Sequence, residues 1–423
     1  MGKIKLVIIG AGFRGTYTYG KFIEENKDLC EVVAVVEGKK GRREYFKKRF
    51  NLPENKVFEN IESFFEEDKM ADAVIVCNYD SLHFTTSNLA LQKGYNVLLE
   101  GPISNSLDEI IHLEELCKNN KDKIFMSCMT YRYSNFFNKL KEIIDNKSLG
   151  YLININYNSN IGYEKFVHNY VRGNWRINSD SATLLLTNSC YDLDIISYLI
   201  SSSCEKISSF GSLNHFKKEN FTGDMSHICI RCGETKDCPF CAQNIYLDEN
   251  KEISKVVHIN PTRENIEGIL KDSPYGKCVY YCDNDVYDNI VSILKYKNNV
   301  TATLNITAFT KEEDIDIRLL FTYGEIRASF KEKTIKIKRF INKNEEVIKV
   351  NEDDIDNKLI IDFIKNIKSN NTNIKSSVKS SLESHITAFA GELANISDTV
   401  INVKSFYEDS VKMTSDIEKI LFK

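Results

Sequence analysis

Lys3-Ile-Lys-Leu-Val-Ile-Ile-Gly10-Ala-Gly12-Phe-Arg-Gly15 is the stretch on which the reading of this chain turns. An apolar strand runs into a Gly-x-Gly-x-x-Gly turn, and a helix is expected from Thr16 to Asn26. Gly10 permits the tight turn, Gly12 lets the backbone approach a pyrophosphate, and Gly15 lets the helix pack closely on the strand. The phosphates would rest on unpaired N–H groups at the positive end of the helix dipole. A second apolar strand, Glu31-Val-Val-Ala-Val-Val36, leads to Glu37, an acid about 20 residues past the last glycine, where a ribose-binding carboxylate belongs. Glu37 accepts from ribose hydroxyls and repels a 2′-phosphate, which favours NAD. Lys39, Lys40, Arg42 and Arg43 follow at once. Paired with that phosphate they would turn the preference to NADP; as a solvated helix face they would leave it unchanged.

Residues 1–127 alternate strand and helix, the pattern of a parallel sheet covered on both faces. Ala71–Cys77 and Gly94–Glu100 read as buried strands, and Lys123–Cys128 as the last before the pattern changes. Ligands of such sheets lie beyond the strands' carboxyl ends, so Asp80, His83 and Glu100 join Gly10, Gly12, Phe13, Arg14, Gly15 and Glu37 as expected cofactor-binding residues. From Leu149 onward longer alternating strands take over: Tyr151–Ser159, Cys278–Cys282, Ile290–Tyr296, Val300–Phe309, Ile315–Tyr323 and Glu325–Ile341. Helix returns over Tyr191–Ser201, Asp354–Lys368 and Val378–Asn395. Residues 128–423 thus read as an α+β domain built on a large open sheet.

At 423 residues the chain has room for two domains with full cores. A net charge of −4 gives no reason to expect nucleic acid or a membrane surface as partner, and no apolar run is long enough to span a bilayer. With a strand starting at once there is no room for a signal peptide, so the 12 cysteines are expected to be reduced thiols of a cytoplasmic protein. One cluster stands apart, Cys229-Ile-Arg-Cys232 followed by Cys238-Pro-Phe-Cys241 in a polar insertion near 214–255. Two Cys-x-x-Cys pairs so spaced fit a tetrahedral structural zinc, with free or redox-active thiols as the alternative.

Leu98-Leu-Glu-Gly-Pro-Ile-Ser104, Phe166-Val-His-Asn-Tyr-Val-Arg-Gly-Asn-Trp-Arg176, Asn188-Ser-Cys-Tyr-Asp-Leu-Asp194 and Cys278-Val-Tyr-Tyr-Cys-Asp-Asn-Asp285 carry a resemblance. Together with the glycine turn they resemble the glucose–fructose oxidoreductase/inositol dehydrogenase (Gfo/Idh/MocA) family over most of the chain. The resemblance implies a Rossmann domain followed by a predominantly antiparallel open-sheet domain, through which relatives form homo-oligomers. It implies hydride transfer between a nicotinamide and a hydroxyl carbon of a sugar, cyclitol or related polyol. A lysine of a Glu-Lys-Pro segment would hold the hydroxyl, and a histidine would move the proton.

The departures from that pattern fall on the chemistry. The lysine position is Gly101, the histidine position is Tyr191, and a second lysine position, three residues before it, is Asn188. Tyr191 is a poor base at its ordinary pKa near 10 unless a cation lowers it; as a packed aromatic it would simply fill the vacated site. Tyr191 and His168 are the expected catalytic residues, with Tyr170, Arg172, Trp175 and Asp194 around the substrate. Two readings follow: an oxidoreductase with a relocated base, or a nucleotide-binding paralogue that lost the chemistry and keeps a regulatory or partner role.

Overall fold

The computed structural model describes residues 2–233, 235–248, 251–341 and 344–421. Its first sheet holds β1 (Ile4–Ile9), β2 (Cys30–Val36), β3 (Val57–Phe58), β4 (Ala73–Val76), β5 (Asn96–Leu99) and β6 (Phe125–Ser127). All are parallel, in the order β3-β2-β1-β4-β5-β6. Leu6, Val7 and Ile8 are buried on both faces, which is why β1 is continuously apolar and not alternating. Ile9 pairs with Val36 on one side and Val76 on the other, so the register brings Gly10, Glu37 and Cys77 together at one rim. The strand order turns between β1 and β4, where sheets of this kind leave a ligand crevice.

The second sheet contains β7 (Leu152–Asn160), β8 (Cys204–Ser212), β9 (Asn289–Tyr296), β10 (Thr301–Thr307), β11 (Asp314–Phe321), β12 (Gly324–Ser329), β13 (Thr334–Arg339), β14 (Glu345–Lys349) and β15 (Ile401–Asn402). Their order is β14-β13-β12-β11-β7-β10-β9-β8-β15. Every pairing is antiparallel except that of β7 with β10. Burial alternates along β9 and β11, the mark of a sheet with one packed and one open face. The open, predominantly antiparallel α+β domain is therefore present.

Two local expectations fail for identifiable reasons. Glu325–Ile341 is two strands, because the chain turns through Lys333 at positive φ and pairs β13 back on β12. Cys278–Cys282 is not a strand; Lys277 makes only an isolated bridge to Ile228. The segment is turned on itself, with the Cys282 thiol donating to the Cys278 carbonyl and Tyr281 stacked on His227 at 3.6 Å.

The helices after the second sheet return to the first domain. Ile355–Ser369 inserts Leu359, Ile360 and Phe363 beneath one face of the parallel sheet, beside Leu6, Ile8 and Tyr19. Val378–Ser397 sends Val378 and Leu382 into the core on the other face, while Ala388 and Ala390 belong to the second domain's core. This helix lies so close to the second sheet that a Cβ at Gly391 would meet Ile207 of β8 at 3.0 Å. Among the described residues, no helix is long and apolar enough to cross a membrane.

Candidate active site

The glycine turn works through three different constraints. Gly10 has φ +103°, and a Cβ there would sit 2.5 Å from the Cys77 carbonyl oxygen. A Cβ on Gly15 would stand 2.0 Å from the Gly10 oxygen. Gly12 instead faces open space, its nearest neighbour being the Arg42 guanidinium at 3.6 Å, so an approaching phosphate meets bare backbone. The turn continues as a π-helical segment over Arg14–Gly20 and becomes α-helical only at Lys21–Glu25, a wider start than the regular helix expected from Thr16.

Glu37 ends the crevice's ribose side. Its carboxylate accepts from the backbone N–H groups of Ala11 and Lys39, both at 2.8 Å, tying β2 to the glycine turn. Of the basic residues behind it, Arg43 donates to the Glu37 and Gly38 carbonyls at 2.6 and 3.0 Å. Among the described residues the Arg42 side chain makes no hydrogen bond, and it lies 3.6 Å from where a Cβ on Gly12 would stand. These features fit a dinucleotide: a bare backbone turn at Gly12, the Glu37 carboxylate at the end of β2, and the Arg42 guanidinium beside the turn.

Arg14 is committed elsewhere. Its Nε donates to Glu100 at 2.5 Å, and its two terminal nitrogens fork onto Asp356 at 2.8 Å each. Tyr19 also donates to Glu100, at 2.5 Å. A carboxylate from the returning helix thus crosses the start of the glycine helix, a contact between residues 342 positions apart.

One cavity of about 770 Å³ runs from Gly10, Gly12 and Glu37 to Tyr170, Trp175 and Tyr191. At its inner end Tyr191 Oη donates to the Gly101 carbonyl at 2.9 Å. A Cβ at position 101 would lie 2.6 Å from that oxygen, so the tyrosine ring occupies the space a side chain would leave through. Burial pushes the Tyr191 hydroxyl well above its ordinary pKa, with Glu100 adding to the effect. Asn188 donates to Ser159 at 3.3 Å and to Asp192 at 3.4 Å.

His168 lines the same cavity but is buried, stacked on Tyr275 at 5.1 Å and within 3.3 Å of the Tyr246 hydroxyl. Burial, with the Arg172 charge nearby, lowers its pKa to about 3, so the ring is neutral. Asp80 and Trp175 meet across the cleft, the indole Nε1 donating to Oδ2 at 2.7 Å. His83 places Nδ1 2.7 Å from the Pro102 carbonyl, which only accepts, so Nδ1–H donates there, while the buried Nε2 has no hydrogen-bond partner among the described residues.

Two expected substrate contacts lie elsewhere. Arg172 is fully buried behind the cavity wall, donating to the carbonyls of Lys277 and Phe240 at 2.9 and 2.8 Å. Asp194 forms a buried fork with Arg132 at 2.6 and 2.7 Å, beside a separate small pocket. Neither borders the main cavity. Conversely, Val256 and Tyr275, from the segment after the insertion, and Asp356 from the returning helix, do border it, and no local spacing signals them.

The zinc expectation is corrected. Among the described residues no group of three or more His, Cys, Asp or Glu side chains is disposed to hold a metal. Cys229 and Cys241 hydrogen-bond to each other, and Ala242 N–H donates to the Cys229 sulfur at 3.1 Å. Cys232 lies near Cys278. The Arg172 guanidinium stands among these sulfurs, and its charge opposes a metal ion there.

Comparison with known proteins agrees with this architecture. Residues 4–128 match the family model described as an oxidoreductase family with an NAD-binding Rossmann fold, and residues 137–327 match that of the GFO/IDH/MocA C-terminal domain. A Bacillus subtilis protein named as an oxidoreductase, YteT, is 21% identical over 262 residues, covering 61% of this chain and 60% of its own length. Levoglucosan dehydrogenase in complex with NADH superposes with a TM-score of 0.70 at 12% identity, over 95% of this chain and 99% of its own. The myo-inositol 2-dehydrogenase of Lactobacillus plantarum gives 0.65 at 14% identity, over 95% and 99%. The two family models follow one another along the chain in the order of its two sheets, and the chain accordingly belongs to the Gfo/Idh/MocA family of NAD-binding oxidoreductases.

Proposed function

We propose that this chain is an oxidoreductase that uses NAD to oxidise or reduce a hydroxyl carbon of a sugar, cyclitol or related polyol. The observation that carries this reading is the single cavity joining the glycine turn to Tyr170, Trp175 and Tyr191, so cofactor and substrate walls face one space. The dehydrogenases of levoglucosan and myo-inositol among its structural neighbours support the substrate class.

Gly10, Gly12, Phe13 and Glu37 would hold the dinucleotide, Gly12 by exposing backbone N–H groups and Glu37 by accepting from ribose hydroxyls. NAD is favoured over NADP, because Arg43 is already engaged by the Glu37 and Gly38 carbonyls and Glu37 repels a 2′-phosphate. A bound nicotinamide supplies the hydride acceptor or donor. The chain's own side chains bound the substrate: Trp175 offers an aromatic surface, Tyr170 a buried hydroxyl, and Lys165, ion-paired with Glu313, a polar rim. All 12 cysteines are free thiols, in keeping with a reducing cytoplasm. The outer face of the second sheet, with Ile153, Phe210 and Ile293 exposed, is the face we assign to homo-oligomer formation.

A second reading, a nucleotide-binding regulator without turnover, is favoured by the Tyr191–Gly101 contact, which closes the position of the missing lysine. Calorimetric titration with NADH and NADPH, followed by a polyol panel under turnover conditions, separates the two. Micromolar NADH binding with polyol-dependent absorbance change at 340 nm (a property of NADH) supports the enzyme. NADH binding with no turnover on any polyol supports the regulator, and absence of binding at millimolar nucleotide removes both.

A further inference from the structure

Resting on the oxidoreductase reading above, we propose that Asp80 is the proton acceptor of this active site. The missing histidine and lysines leave the cavity without their acid–base groups, and Tyr191, Glu100 and His168 are each held by other contacts. Tyr191 spends its proton on the Gly101 carbonyl. Glu100 receives both Arg14 and Tyr19 on a single oxygen. His168 is packed between Tyr246 and Tyr275.

Asp80 is placed differently. It opens a short 3-10 turn beyond the carboxyl end of β4, next to the point where strand order turns, and it is buried at the cavity wall. The groups that face it come from four elements: His83 on its own turn, Glu100 after β5, and Tyr170, Trp175 and Cys190 from the second domain. Among the described residues no lysine or arginine pairs with it; its side-chain donor is the neutral indole of Trp175. A neutral donor lowers a carboxylate's proton affinity less than a salt bridge would. Burial raises the Asp80 pKa, against the pull of His83 and of the Trp175 hydrogen bond. A buried carboxylate so positioned is suited to act as a general base.

In the oxidation direction the substrate O–H bond breaks and its proton passes to Asp80. The freed O–H electron pair becomes the second C–O bond of the carbonyl product. The C–H pair leaves as hydride for an oxidised nicotinamide, and Asp80 ends as the neutral carboxylic acid. Reduction runs the same steps backward. Trp175 is a positioning residue: its Nε1–H fixes Oδ2 and so orients the carboxylate.

Trp175 is the only tryptophan, so intrinsic fluorescence of the intact chain reports directly on its partner. Titrating that fluorescence with pH is expected to show one transition above the usual aspartate range of about 4, absent in Asp80→Asn. With NADH affinity and substrate KM held within about threefold, Asp80→Asn is expected to lower kcat by about 100-fold or more. Asp80→Glu, which keeps the acid, should recover part of that loss and move the midpoint of the pH–rate profile. A fluorescence transition that persists in Asp80→Asn, or a kcat within threefold of wild type while NADH still binds, overturns the assignment of Asp80. Failure of the wild-type chain to bind either nucleotide overturns the oxidoreductase reading itself, and Asp80's role with it. Should Asp80→Asn not fold, the wild-type fluorescence titration and the Asp80→Glu profile still decide the matter, a flat titration or an unmoved midpoint counting against it.

Discussion

Tyr191 and Gly101 are one unit: the phenol donates to the glycine's own carbonyl at 2.9 Å, and the glycine's missing Cβ leaves room for the phenol. Neither change from the family pattern stands alone, since a side chain at 101 needs the space this ring fills.

Gly101→Ala is therefore expected to destabilise the chain by about 1–3 kcal/mol through overpacking. Tyr191→Ala in the same chain should relieve part of that, giving a coupling of about 0.5–3 kcal/mol in a double-mutant cycle. Urea denaturation of the four variants measures it, and simple additivity would show that the two residues are independent.

Glu37 holds two backbone N–H groups that a ribose would otherwise compete for. Glu37→Gln should weaken NADH binding by about tenfold, roughly 1.4 kcal/mol. NADPH binding should weaken less or improve, because a charge that repels the 2′-phosphate is gone. Parallel calorimetric titrations give the ratio directly.

Asp194 and Arg132 form a nearly fully buried pair away from the cavity. Removing one partner leaves an uncompensated charge, so Asp194→Asn is expected to cost about 3–5 kcal/mol. Thermal melting should register this loss, while the folded fraction keeps its NADH affinity. A variant that melts normally but loses substrate binding would instead restore Asp194 to the substrate pocket.

Two buried groups titrate with opposite sign. His168 has a native pKa of about 3 against an ordinary 6.5, so between those values the unfolded chain binds a proton the native chain refuses. Its contribution to stability is lost as pH falls. Burial raises Asp192 to about 6 from 3.8, so the native chain holds the extra proton there and its contribution is lost as pH rises. From about pH 4 to 6 the slopes oppose, each being at most about 1.4 kcal/mol per pH unit. Denaturation midpoints for His168→Gln should therefore fall from pH 4.5 to 6, and those of Asp192→Asn should rise.

The cysteines of the insertion are expected to differ in kind. Cys229→Ser disturbs a buried sulfur that accepts from Ala242 N–H, while Cys232 is part-exposed. The first should lower the melting temperature by several degrees and the second by little. A metal chelator should leave the melting temperature unchanged, and a chelator-induced drop would reinstate zinc.

How much of this was legible beforehand depends on the range of the contact. The glycine turn, the strand before it and Glu37 lie close together in sequence, and their spacing alone carries the crevice. Most strands of the second sheet also announce themselves by alternation; β8, a Ser-rich run paired with β9, the exposed β14 and the two-residue β15 do not. Cys278–Cys282 misled because Val279, Tyr280 and Tyr281 favour strands intrinsically, yet the second sheet offers them no partner. The Cys-x-x-Cys pairs misled in the opposite way: regular spacing suggested convergence, but Arg172 sits among the sulfurs. Arg14 with Asp356 and Asp80 with Trp175 join residues far apart in the chain, and no local pattern encodes them.

The return of the last helices to the first sheet also sets an order of assembly. Phe363 and Leu382 complete the two cores that flank β1. As the chain leaves the ribosome, its nucleotide-binding half must therefore wait, with both faces of the parallel sheet short of their cover, until the whole second sheet has been made. A domain that comes first in sequence is finished last.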